Sequence, residues 1–163
     1  MASDDAVVEL LLANYAQTLK FITDATAEIP AERFALSFPT APNHPAWTIG
    51  HLACSAAFLG SMFEEPFGSA FAEERPVFAA GSKPESNGNY GTREQLLARL
   101  TERHALLSAA VRSKHGEYFP RPTPERLRHR VPTIGDLAVY LLASHEHYHL
   151  AQINQWRLVA GAG

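Results

Sequence analysis

Apolar residues recur every three or four positions in four long stretches of the chain, and no stretch alternates apolar and polar residues at a period of two. The pattern therefore predicts helices and no strands. The first helix is expected from near Ser3 to about Ile29, where Pro30 stops it, with Val8, Leu11, Leu12, Tyr15, Leu19 and Ile22 on one stripe. The second follows NHPAWTIGHLACSAAFLGSMF, with Thr48 as its expected N-cap and Leu52, Ala56, Leu59 and Phe63 as its buried face. Thr92-Arg-Glu-Gln95 reads as a capping box and opens a third helix to about Lys114, with Leu97, Leu100, His104, Leu107 and Val111 in line. Thr133-Ile-Gly-Asp136 opens the last helix, and Gly161 fits its C-terminal end.

Between these stretches the rhythm is lost. Residues 66–91 are rich in Gly, Pro, Ser and Asn and read as a long connection, with a short helix near Phe71–Glu74. Residues 115–132 carry Pro120, Pro122, Pro124 and Pro132. The six letters TIGHLA at 48–53 return as TIGDLA at 133–138, each where a helix is expected to begin. The expected fold is an all-α four-helix bundle with long crossover connections, built from two helical hairpins and forming a single domain over residues 1–163.

Composition changes this picture little. With 46% hydrophobic and 19% charged residues and a net charge of −3, the chain is ordinary for a globular protein, and no bulk charge points to nucleic acid. The N-terminal residues lack the basic start of a signal peptide, and no apolar run suggests a membrane span. The single Cys54 cannot form an intrachain disulfide, so a cytoplasmic location is expected. The eight histidines are the one excess that demands a chemical reason.

Residues 145–149 read HEHYH, which contains the letters H-E-x-x-H of zinc proteases. On a helix His145 and His149 lie about 400° apart and so face nearly the same way, the arrangement by which two imidazoles share one metal. They interrupt the apolar stripe Leu137, Leu141, His145, His149, Gln152, Trp156, whereas His147 points away to the surface. Buried imidazoles left without partners would cost about 1–3 kcal/mol each, and a shared metal satisfies both. A protease needs a third ligand downstream, and the fourteen residues after His149 contain no His, Asp or Glu. Any third ligand must lie upstream. His44, His115 and His129 fall in Pro-rich or terminal segments and are expected to be solvated. His51 and His104 both sit on helices, and geometry alone leaves the two open. Cys54, one turn from His51, reads as a small buried hydrophobe or an added ligand. Glu146 faces about 100° off the line of the two histidines, so it is not expected to be a catalytic base.

HPAWTIGHLA before one helix and HEHYHLAQINQWRLVAG on the last, taken in order, resemble the DinB/YfiT-like superfamily of four-helix metalloproteins. The residues carrying the resemblance are Trp47, Thr48, Ile49 and His51, then His145, His149 and Gln152, and it spans 5–161. It implies a divalent metal, zinc or nickel, bound by His51, His145 and His149 with an open coordination position. It implies a homodimer as well. The chain departs from the usual H-R-G-Q at His149-Leu150-Ala151-Gln152, which puts any contact at 150–151 in doubt. Relatives include S-transferases that use low-molecular-weight thiols and a mycothiol-dependent isomerase. The resemblance thus points to a metal-dependent thiol S-transferase acting on a small molecule. The alternatives are a hydrolase using metal-bound water and a non-catalytic, metal-stabilised small-ligand-binding bundle. Neither nucleic acid nor membrane is an expected partner. The basic segment 112–130 is either a plain solvated loop or an attractor for an acidic thiol.

Overall fold

Fourteen of the sixteen residues of one helix are buried, and the rest of the protein is arranged around it. The computed structural model describes residues 4–161. Its elements are α1 (Asp4–Thr26), α2 (Pro45–Gly60), α3 (Glu65–Phe78), α4 (Arg93–Tyr118), α5 (Ile134–Val139), a π-helical turn (Tyr140–His145) and α6 (Glu146–Ala160). Among the described residues the only β-type pairings are isolated bridges, Phe38 with Ala41 and Pro122 with Thr133, so the fold is all-helical as expected. No helix among them is long and apolar enough to cross a membrane.

α1 buries Val8, Leu12, Tyr15, Thr18 and Ile22, a single stripe at helical spacing, with Asp4 and Asp5 complementing the dipole of its first turn. It ends three residues before the expected Ile29, and the expected start at Ser3 lies outside the described residues. The freed carbonyls of Thr26, Ala27 and Ile29 accept from the Arg93 guanidinium at 3.4, 2.7 and 3.0 Å, which closes the end and ties it to α4. The Thr92–Gln95 and Thr133–Asp136 capping boxes both form, and Gly161 ends α6 in the left-handed region at φ 64°.

α2 starts at Pro45, three residues before Thr48. Its N-cap is His44, whose Nδ1 accepts from the Trp47 amide at 3.1 Å, with Pro45 in the first turn where no N–H is needed. Thr48 is instead an interior residue, and its hydroxyl donates to the His44 carbonyl at 3.1 Å. The two TIG echoes therefore hold different helical positions, since Thr133 is a true cap and Thr48 is not. His44 is also fully buried rather than solvated, because its second ring nitrogen meets the Glu85 carbonyl at 3.2 Å. Replacing His44 with alanine is expected to cost about 1–3 kcal/mol, from the lost cap and the stranded partners. Thermal unfolding checks this, and a loss below about 0.5 kcal/mol would show that the cap is dispensable.

The 66–91 connection contains far more helix than the short piece expected. α3 runs for 14 residues, starting with Pro66 in its first turn. It lies against α2 through two glycines. A Cβ on Gly50 would come within 2.1 Å of the Phe78 ring, and one on Gly60 within 2.3 Å of Phe67. Those aromatic side chains occupy the space that larger residues on α2 would need. α4 continues past the expected Lys114 to Tyr118. The Pro-rich stretch that follows is folded back on itself, with Thr123 donating to the Pro132 carbonyl at 3.1 Å and Ile134 to Arg121 at 2.9 Å.

Candidate metal centre

His51 is on α2, His145 closes the π-helical turn, and His149 is on α6; all three are buried. Their Nε2 atoms converge. His145 Nε2 stands 3.1 Å from that of His51 and 3.2 Å from that of His149. Two nitrogens at zinc-ligand distance from a tetrahedral centre stand about 3.3 Å apart, close to both separations. One ligand nitrogen from each ring lies within 4.8 Å of the others, and among the described residues no further His, Cys, Asp or Glu joins the cluster. These three side chains could hold a metal ion.

The local structure explains the convergence. A four-residue spacing drifts about 40° per step around an α-helix, so Leu137, Leu141, His145 and His149 would spiral off one face. The π turn holds more residues per turn and takes up that drift; all four side chains are buried. His51 is fixed from behind, its Nδ1 pairing with the Phe78 carbonyl at 2.6 Å. That pairing puts the proton on Nδ1 and leaves the Nε2 lone pair facing the cluster. Trp47 stacks on His51 with centroids 4.8 Å apart and planes 7° from parallel, and meets His149 edge-on. Its indole N–H is anchored on the Val77 carbonyl and the Ser82 hydroxyl at 3.1 Å each. Gln152, one turn beyond His149, accepts from Asn43 at 3.1 Å and so joins α6 to the entry of α2. The Nδ1 atoms of His145 and His149 are buried without a protein partner.

All three rings are held neutral, the form that a metal needs. Burial lowers His51, with the Phe78 carbonyl opposing. Burial, then repulsion from His51, lowers His145 to about 4. Burial, then His145 and His51, lowers His149 to about 3, with Gln152 opposing.

Of the other candidates, His104 lies elsewhere. Its Nε2 meets Glu146 Oε1 at 3.1 Å, both side chains are buried, and Tyr15 stacks on its ring at 3.5 Å. Glu146 therefore turns away from the three histidines, toward α4. Cys54 stays outside the cluster. It is buried, and desolvation with the charge of Glu74 pushes its thiol up to about 12, so it carries no thiolate at neutral pH. His115 is half-buried and pairs with Asp5 at 3.1 Å, whereas His129 is exposed. His147 is exposed as expected and leans on the Ala143 carbonyl at 2.9 Å.

A cavity of about 400 Å³ reaches His51 and His145. The protein is thus all-helical, with a buried three-histidine cluster, compatible with metal binding, beside a cavity. Residues 6–153 match the DinB superfamily, and the chain belongs to it. No match was found among curated proteins, and none among solved structures.

Proposed function

We propose that His51, His145 and His149 bind one divalent metal, zinc or nickel, and that the chain is a metal-dependent thiol S-transferase acting on a small molecule. The convergence of three neutral imidazoles beside a cavity carries this reading. In the same reading α1, α2, α4 and the α5–α6 rod form the superfamily's four-helix bundle, joined by long crossovers and paired as a homodimer.

A divalent ion held there would supply Lewis acidity, polarising an oxygen or favouring the thiolate of a bound thiol. The protein's own part is positioning. The Phe78 carbonyl and the Trp47 ring fix His51, and the π turn aims His145. Phe58, Phe71 and Leu141 give the cavity apolar walls, and Ser55 and Tyr140 offer hydroxyls to a bound molecule. Among the described residues no carboxylate lines it.

Elemental analysis of untagged protein tests the metal. About one equivalent is expected in the wild type, lost in His51→Ala and in His149→Ala. A screen of thiols against small electrophiles then tests transfer, with turnover expected only when thiol and metal are both present. Full turnover by the protein carrying both substitutions would overturn the assignment.

A further inference from the structure

We infer that Arg75, Arg126 and Arg130 form an anion-binding collar, and that the site takes a small organic molecule bearing a carboxylate or phosphate remote from its reacting atom. The inference rests on the metal reading only for which end of the molecule reacts.

The three arginines line the same cavity as His51 and His145, and they come from two separate parts of the chain. Arg75 is in the last turn of α3, whereas Arg126 lies in the short 3-10 turn Glu125–Leu127 and Arg130 just beyond it. The segment bearing the last two is held by the Pro122–Thr133 bridge and by Thr123, whose hydroxyl donates to the Val131 carbonyl at 2.6 Å. All three arginines are exposed, and among the described residues none makes an ion pair.

Their neighbours in the chain behave differently. Arg112 pairs with Glu9 at 2.6 Å, Lys114 with Glu64 at 2.9 Å, and Arg121 with Glu117. Arg128 is spent on the Thr123 carbonyl at 2.8 Å. The basic segment thus divides into cations engaged by the protein and two left facing the cavity. Arg126 is further placed over the Phe58 ring, 5.8 Å from its centroid, so one cavity wall itself supports a collar residue.

Among the described residues no Asp or Glu lines the cavity, so no carboxylate there opposes the three guanidiniums. The buried carboxylate nearby, Glu74, is answered by Arg103 at 3.5 Å and Arg99 at 3.9 Å. Unpaired guanidiniums beside low-dielectric apolar walls favour anions, and their forked donors suit carboxylate and phosphate alike. The apolar walls suit an uncharged body between the two ends. The volume lies at the small end of ligand pockets, which excludes a large polyanion.

Calorimetric titration of the full, metal-loaded chain with three probes of one stem length, three methylenes between sulfur and head group, tests this: 4-mercaptobutyrate, 3-mercaptopropylphosphonate and neutral 3-mercaptopropanol. Both anions are expected to bind about tenfold or more tightly than the alcohol, and the tighter of the two identifies carboxylate or phosphate as the natural group. The preference should shrink with added salt, and should fall to about twofold in a protein carrying Arg126→Gln and Arg130→Gln. Arg121→Gln, on the same segment but outside the cavity, should keep it. Equal binding of all three probes overturns the collar, as does no binding of either anion, or an equal loss in Arg121→Gln. Repeating the titration after chelation separates the two readings. Anion preference without metal in elemental analysis defeats the metal reading alone, whereas metal retained without preference defeats the collar alone.

Discussion

His104→Ala is expected to lower the stability of the protein by about 3–5 kcal/mol and to leave its metal content unchanged. Among the described residues the imidazole is the one hydrogen-bond partner of Glu146 Oε1, at 3.1 Å, and Oε2 has none. Removing it strands a buried carboxyl and opens space beneath the Tyr15 ring, which stacks on it at 3.5 Å. Burial pushes the Glu146 carboxyl up from its ordinary 4.5, and His104 is the main force pulling it back. Without His104 the carboxyl climbs further. A carboxyl whose folded pKa exceeds its unfolded one favours the fold while protonated, and that advantage is lost as pH rises through the folded value. The gap between variant and wild type should therefore widen as pH rises from about 5 to about 8. Urea unfolding of both proteins at several pH values measures it, and a gap that is constant or under about 1 kcal/mol would sink the account. Glu146→Gln separates this role from catalysis. The amide can still meet the His104 ring, so stability and turnover should both survive, whereas loss of a general base would cost about 10²–10⁴ in rate.

The same pair shows what the letters H-E-x-x-H conceal. His145 and His149 were legible because a spacing of four puts two rings on one helical face, whatever surrounds the helix. Glu146 was legible only as pointing elsewhere, since its partner is 42 residues away in the chain. The choice between His51 and His104 was not open to periodicity at all. Both lie on predicted helices, and only packing decides that α2 faces the His145 ring while α4 faces Glu146. Motif resemblance selected His51, and packing brings its ring beside His145 and His149. His44 was misread because a Pro-flanked histidine looks solvated and because Ser, Thr, Asp and Asn are the usual caps. That error displaced the expected start of α2 onto Thr48. In α3, Pro66, Gly68 and Pro76 dilute the helical signal so that only its middle was visible. The π turn left no mark in the pattern, since the four-residue repeat it permits reads as an ordinary helix. Arg126 and Arg130 were visible as charge, but their separation from Arg112, Lys114 and Arg121 depends on ion pairs and on one fold-back of the chain.

Metal-free protein, prepared by chelation, is expected to unfold on acidification, driven first by its buried histidines. His44 is lowered to about 4 by burial, against the pull of the Glu85 carbonyl. His51 is lowered, His145 falls to about 4 and His149 to about 3. Each ring is thus neutral when folded at a pH where the unfolded chain, titrating near 6.5, already takes a proton. The unfolded state then binds more protons, so stability falls as pH drops. Every such ring contributes about 1.4 kcal/mol per pH unit, and four together contribute about 5.5 kcal/mol per unit. A domain stable by about 5–15 kcal/mol should therefore collapse within about one to three units below that point. The three clustered rings repel one another once charged, so they resist protonation together and yield together. A metal bound as proposed would have to be displaced first, which would move the transition to lower pH and make it steeper. His44→Asn, which keeps a competent cap without a titrating ring, should remove about a quarter of the slope in metal-free protein. Stability measured by denaturant between pH 7 and about 4.5 decides the matter: a flat profile without metal would mean that the rings take up protons while folded, and that burial does not hold the cluster ready for a cation.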